Sequence, residues 1–343
     1  MTDAIGSGSR ILLGHGGGGR LMQDLIGDCL SLLGPANGVT QLNDAATLEL
    51  PSGERIAMTT DSFVVSPIMF PGGDVGRLAV CGTVNDLACM GARPLGLTLG
   101  LVIEEGLETE TLAQITASIR IACEEADARI VTGDTKVVER GAADCLFINT
   151  AGVGLIPPGV ELGGERASAG DVVIVNGTLA DHAVAVLKAR NELPLEGDFR
   201  TDCAPLNGLV ESMLEAGGDG VHAIRDLTRG GLSASLNEMS EQSSAHIEIV
   251  EDAIPLKPQT RAACDLLGYD PMAMANEGKL MVLVAPDRAD AVLAAMKSHA
   301  LGQDAAVLGE VKGLGESRVT ARTPLGPTRI VDLPSGELLP RIC

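Results

Sequence analysis

The sequence predicts an α+β chain of two domains, and three observations carry that prediction. Short apolar stretches with strand periodicity alternate with helical stripes along nearly the whole chain. A Pro157-Pro158-Gly159 break separates an earlier group of such elements from a later one. The length, 343 residues, suffices for two cores of ordinary size. No short-period repeat is present, which excludes a solenoid.

The chain opens with a glycine run, Gly14-His15-Gly16-Gly17-Gly18-Gly19-Arg20, ahead of a helix whose apolar stripe is Leu21, Leu25, Ile26, Cys29, Leu32 and Leu33. Glycines before a helix N-terminus present unhindered N–H groups, which suits phosphate. The run is neither a Walker A loop nor a GxGxxG after a strand, so a flexible linker stands as the alternative. Strands over 47–50 and 55–60 follow, the second ending in Thr59-Thr60-Asp61-Ser62. A helix over 74–90 carries Asn85-Asp86 in its middle, two poor helix formers that imply either a local side-chain to backbone bond or a functional demand. A strand over 94–104, an amphipathic helix over 108–127, a short strand over 129–132 ending in Gly133-Asp134-Thr135-Lys136, and a long strand over 145–156 complete a domain with its helices on one face.

The second half runs strand 172–176, helices 181–190 and 205–216, and strand 221–224 ending in Arg225-Asp226. Arg229-Gly230-Gly231 opens a helix over 232–241, followed by strand 245–250 and helix 260–267. Asn276-Glu277-Gly278 precedes strand 280–284, then come helix 288–299, strand 307–311 and a pair at 318–321 and 329–332. The expected division is a glycine-rich segment and helix over 1–40, a first α+β domain over 41–157, a second over 158–312, and a C-terminal arm over 313–343.

Composition narrows the function. No apolar run approaches the roughly 18 residues of a membrane span, and no signal peptide is recognisable, so the expectation is a cytoplasmic chain with no membrane partner. A net charge of −21, no tryptophan and one tyrosine argue against nucleic acid, whose binding rests on basic groups and stacking aromatics. An acidic protein holds polyphosphate only where divalent cations, local basic groups or backbone donors invert the field. The eight cysteines form no CxxC pair and read as reduced core residues, with Cys343 alone expected outside any core.

Cys343 ends the segment Leu338-Leu339-Pro340-Arg341-Ile342-Cys343, where Pro334 and Pro340 oppose helix formation and leave a thiol at the tip of a movable arm. Its neighbouring terminal carboxylate raises the thiol pKa, an effect that Arg341 partly offsets. Asp44, Asp61, Asp86 and Asp134 sit beside Thr, Asn, Ala or Gly and Asp226 two residues before Thr228, and carboxylates without histidine or cysteine partners favour a hard cation, Mg²⁺ above all. Each of them singly also suits a cap or turn. Lys136 and Arg229 are the nearby basic groups, with surface solubility as their plainer role.

Together, His15–Arg20, Thr59–Ser62, Gly82–Leu87, Gly133–Lys136, Asp226–Gly231, Asn276–Gly278 and the Pro-Arg-Ile-Cys terminus resemble the HypE family of hydrogenase maturation factors. That family lies in the aminoimidazole ribonucleotide synthetase-like (PurM-like) ATP-binding superfamily. The internal motifs are shared across the superfamily, whereas the terminus separates this family from its relatives. The resemblance implies a homodimer with a barrel-like core of joined N-terminal domains and ATP with Mg²⁺ in a cleft between domains. It assigns metal roles to Asp44, Asp61, Asp86 and Asp134, and nucleotide contacts to Gly16, Gly17, Gly18, Gly19, Asp61, Asn85, Asp86, Asp134 and Asp226. Cys343, Glu277 and Lys136 become the catalytic group, with Glu277 as base. The implied reaction is ATP-dependent dehydration of an S-carboxamide on Cys343 to a thiocyanate. HypF, a carbamoyltransferase, loads the thiol, and the HypC–HypD complex takes the cyanide on to a nickel–iron hydrogenase. The alternatives are another synthetase or kinase of the superfamily, or a carbamoyl carrier without catalysis.

Overall fold

The computed structural model describes residues 10–33, 43–334, 339 and 341–343. A 3₁₀ turn, Leu13–Gly16, leads into α1 (Arg20–Leu33). The described apolar residues of α1 are not buried, and Cys29 lies at the surface. The first domain then runs β1 (Ala46–Glu49), β2 (Arg55–Phe63), a small hairpin β3 (Met69–Phe70) and β4 (Gly73–Asp74), α2 (Val75–Cys89), β5 (Arg93–Glu104), α3 (Thr109–Glu125), β6 (Ile130–Val138) and β7 (Leu146–Ile156). Its five-stranded sheet has the order β1-β2-β7-β5-β6. Only the β5–β6 pair is parallel, because α3 crosses over between them.

The sequence of α2 explains its place. Asp74 caps it, accepting from the N–H groups of Gly76 and Arg77 at 2.8 and 3.0 Å. Small and apolar residues lie on every side, and all but Arg77 and Asp86 are buried. The helix packs on β2, β5 and β7 and also reaches the second domain, through Ala88 and Cys89. Asp86 is thus a carboxylate delivered by a wholly interior helix.

The second domain contains β8 (Val172–Val175), α4 (Asp181–Ala189), α5 (Asn207–Gly217), β9 (Val221–Asp226), α6 (Gly231–Ser243), β10 (Ala245–Val250), α7 (Pro258–Leu267), β11 (Leu280–Val284), α8 (Ala289–Ser298), β12 (Ala306–Leu314), β13 (Arg318–Arg322) and β14 (Thr328–Ile330). These strands form a seven-stranded sheet, β14-β13-β10-β12-β8-β11-β9, with only β10–β13 parallel. Leu209 and Met213 of α5 and Val292 and Met296 of α8 share a core with Ile174, Val282 and Val284. Leu232, Leu236 and Met239 of α6 share another with Val173, Val175 and Leu283. Each such side chain contributes about 1.5–3 kcal/mol by leaving water.

Three expectations change here. Residues 318–330, assigned to the arm, are a hairpin of the sheet, and Pro324, Gly326 and Pro327 belong to its turn, closed by Thr323 and Gly326 N–H bonds. Gly133-Asp134-Thr135-Lys136, expected as a turn, lies inside β6, which continues because its backbone pairs with β5 as far as Val138. Cys343, expected outside any core, is 7% exposed and belongs to the first domain's buried cluster together with Leu339, Ile342 and Phe63, whereas Cys29 and Cys145 are the exposed cysteines. Backbone pairing explains the tucked tail: Val64 N–H donates to Cys343 O at 3.1 Å and Ser66 N–H to Arg341 O at 3.2 Å. At the other end of that segment, Arg20 N–H donates to Pro334 O at 3.1 Å. A Cβ on Gly19 would lie only 2.1 Å from that same oxygen, so the glycine is required for the approach.

Candidate active site between the domains

A cavity of about 910 Å³ opens between the domains, within the range that holds a small-molecule ligand. Its walls include Asp44, Asp61, Asp86, Arg225, Asp226 and Arg229, with Gly18 at the rim. Asp61 projects from the helix-side face of β2, Asp86 from α2, and Asp226 ends β9, so three elements from both domains aim carboxylates at one space. The Thr59 hydroxyl lies 2.7 Å from Asp86 Oδ2 and 3.1 Å from the Asp44 carbonyl, tying the loop before β1 to α2.

These carboxylates burden one another. Burial pushes Asp86 well above the usual carboxylate range, and Asp226, Asp44 and Asp61 push it further. Burial does the same to Asp226, with Asp44 adding to it and Arg225 opposing. Asp61 is raised by burial and held down by Arg229 and the Ser62 N–H. Arg225 reaches Asp44 at 3.1 Å and also pairs with Glu238, and Asp44 Oδ2 is buried with no hydrogen-bond partner among the described residues. Such a donor set fits Mg²⁺. Among the described residues no three Asp, Glu, His or Cys side chains form a cation cage alone. The α6 N-terminus begins at Gly231 beside the cavity, where its dipole favours phosphate.

Glu277 and Cys343 adjoin each other behind the cavity lining and face Arg229, which belongs to that lining. Asn276 sets the local backbone: its Nδ2 donates to Leu227 O at 2.9 Å and Met274 O at 3.0 Å, while its Oδ1 accepts from Ala180 N–H at 2.8 Å. Gly278 must be glycine, since a Cβ there would lie 1.9 Å from Asp202 O. The Glu277 N–H donates to Asp202 Oδ1 at 3.0 Å, and its Oε1 is buried with no hydrogen-bond partner among the described residues. Burial drives the Glu277 carboxyl well upward, with Asp226, Asp202 and Asp61 adding to it and Arg229 opposing. The Cys343 thiol is raised above all by burial; Arg229 lowers it, and the adjoining Glu277 raises it again.

Other sequence candidates lie elsewhere. Asn85, expected beside the nucleotide, is fully used as an interdomain clamp: its Nδ2 donates to Ala204 O at 3.1 Å and Glu277 O at 3.4 Å, and its Oδ1 accepts from Leu206 N–H at 2.7 Å. Asp134 and Lys136 pair with each other on exposed β6, outside the cavity of this chain, and Lys136 holds the Asp134 carboxyl below its usual range. Of Gly16, Gly17, Gly18 and Gly19, only Gly18 lines the cavity, pressed against the Arg229 backbone. Sequence reasoning missed Arg225 and Glu238 as site residues. Arg225-Asp226 is visible as a charged pair, but its partner Asp44 lies far away in the chain.

The chain matches the AIR synthase related protein N-terminal domain over residues 42–156 and the corresponding C-terminal domain over residues 168–322. It is 50% identical over 331 residues to the carbamoyl dehydratase HypE of Bradyrhizobium diazoefficiens, covering 96% of this chain and 95% of the relative. A structure of HypE in complex with ATP superposes with a TM-score of 0.81 at 43% identity, covering 97% of this chain and all of that one. The HypE–HypF complex contains a chain of TM-score 0.85 and 44% identity, covering 90% of this chain and 99% of that one.

Proposed function

The chain belongs to the AIR synthase related family, among its HypE carbamoyl dehydratases, and from that premise we propose how its residues carry out an ATP-dependent dehydration in hydrogenase maturation. The observation that carries the reading is that Cys343 adjoins Glu277, whose Oε1 is buried with no hydrogen-bond partner among the described residues, and that both face Arg229 of the acidic cavity.

The substrate is an S-carboxamide on Cys343. Its carbonyl oxygen attacks the γ-phosphorus of ATP, forming an O–P bond and breaking the bond to ADP. Glu277, in its ionised form, takes a proton from the amide nitrogen. The C–O bond then breaks, the oxygen leaves on phosphate, the departing phosphate takes the second nitrogen proton, and the carbon is left as thiocyanate on sulfur. Arg229, facing Asp61, Glu277 and Cys343, offers positive charge where negative charge develops. Asp44, Asp61, Asp86 and Asp226 would hold Mg²⁺, which supplies Lewis acidity at phosphate oxygens when bound. The closed tail keeps water from the activated amide.

The five-stranded sheet leaves one face uncovered, with Leu48, Met58 and Val102 exposed among Thr60, Asn149, Asp134 and Lys136. A homodimer joined through that face buries it and brings Asp134 and Lys136 toward the neighbouring subunit's site, where they take the nucleotide and catalytic roles expected of them. HypF loads the thiol, and the HypC–HypD complex accepts the cyanide. Among the described residues no helix is long and apolar enough to cross a membrane, and the reading places the chain in the cytoplasm.

Weighing the C-terminal peptide of carbamoylated protein after addition of ATP and Mg²⁺ tests this. Loss of one water is expected, and roughly a hundredfold slower loss in Glu277→Gln. A normal rate in Glu277→Gln removes Glu277 as base. ADP formation with an unchanged peptide points instead to a sister kinase or synthetase, and full cyanide formation by Cys343→Ser sinks the whole reading.

A further inference from the structure

The last three residues rest on side chains that no step above uses. The Ile342 carbonyl lies 2.8 Å from His182 Nε2, and the other ring nitrogen lies 2.8 Å from the Thr201 hydroxyl. A carbonyl can only accept, so Nε2 carries the proton and donates it. Burial keeps the ring neutral, which leaves Nδ1 to accept from Thr201. The Thr201 oxygen in turn accepts from Cys203 N–H at 3.1 Å. Phe70 meets the imidazole edge-on at 5.4 Å, and His182 is 0% exposed.

The preceding residue is gripped from two sides. The Arg341 carbonyl accepts from Arg190 Nη2 at 2.8 Å, while Arg190 Nε donates to Ser66 O at 2.7 Å. The Arg341 guanidinium donates to Asp144 Oδ2 at 2.6 Å and to Val64 O at 2.9 Å. These contacts read two consecutive carbonyls and one cationic side chain immediately before the thiol. A peptide packed only for stability needs no such register, since its apolar residues alone would hold it.

We propose that His182, assisted by Arg190 and Asp144, is the receptor that positions the C-terminal peptide for dehydration. His182 acts as a positioning residue, because it touches the peptide and not the reacting atoms. The proposal rests on Cys343 as carrier of the carboxamide. The receptor holds the thiol in the interior, so it favours the dehydration step and competes with loading by the carbamoyltransferase. Opposite effects on the two steps are its signature, and a folding defect would slow both.

The test uses the full chain with His182→Phe, which removes the donor, and His182→Gln, which restores one near Nε2. Single-turnover dehydration of preloaded protein, loading by the carbamoyltransferase, and alkylation of Cys343 by N-ethylmaleimide scored on the C-terminal peptide are measured side by side. Loss of about one net hydrogen bond predicts dehydration slower by about tenfold in His182→Phe, alkylation faster by about tenfold, and loading no slower. His182→Gln recovers most of the dehydration rate. Asp144→Ala, at a partly exposed site, shifts all three in the same directions by less, and decides the matter if His182→Phe does not fold. Wild-type dehydration and alkylation rates in the variants overturn the receptor, as does equal slowing of dehydration and loading. Wild-type protein that is loaded yet never dehydrated overturns the proposed reaction instead, while the alkylation rates still judge the receptor.

Discussion

In β11 of the seven-stranded sheet every residue is buried, whereas in β6 of the five-stranded sheet none is. Helices cover both faces around β11, and the outward face of β5 and β6 is left bare in the single chain. The sealed sheet is a support, and its apolar run Leu280–Val284 reads as one. The open sheet presents charged and polar positions beside exposed Leu48, Met58 and Val102, the kind of surface that the proposed dimer would cover.

Breaking the sealed side has the largest expected effect. Leu283→Ala should cost about 2–5 kcal/mol in chemical denaturation, because it empties a site enclosed on all sides. Next comes Asp86, at the seam between the two domains. Its carboxyl is raised in the folded state above all by burial, so the folded chain retains a proton that the unfolded chain has released. Without Mg²⁺ and nucleotide, stability is therefore expected to fall as pH rises from the ordinary carboxylate range through the raised folded value. Asp86→Asn should flatten that slope in thermal melts and raise the melting temperature at neutral pH while abolishing ATP-dependent turnover; an unchanged slope would show that Asp86 carries no such burden. On the open side, Met58→Asp should leave the folded monomer within about 0.5 kcal/mol of the parent yet convert dimer to monomer in sedimentation. A dimer that persists would place the interface elsewhere. Smallest of all, Val137→Ala should change monomer stability by no more than about 0.5 kcal/mol, since Val137 is 68% exposed.

The same contrast decides what the sequence could reveal. The apolar strands of the sealed sheet and the helix carrying Asn85-Asp86 were legible because burial writes itself into local composition. The length of β6 was not, since an uncovered strand needs no apolar alternation and Gly133-Asp134-Thr135-Lys136 looks like a turn. Cys343, Glu277 and the aspartates were singled out by position and by motif resemblance, and Asp44, Asp61, Asp86 and Asp226 do line one cavity. The docking of the tail was hidden, because His182 and Ile342 or Asp144 and Arg341 are joined only by the tertiary fold. The contacts of Asn85 with the Ala204, Leu206 and Glu277 backbone were hidden for the same reason, since they too join distant parts of the chain.

The contact of Gly19 with Pro334 fastens the loop at the cavity rim to the root of the thiol-bearing segment. A single methyl group added at residue 19 would act as a wedge with two victims, since the rim and the root cannot both keep their places. Gly19→Ala should thus disturb nucleotide affinity and Cys343 accessibility in the same molecule, a double symptom from one small lesion far along the chain from the sulfur.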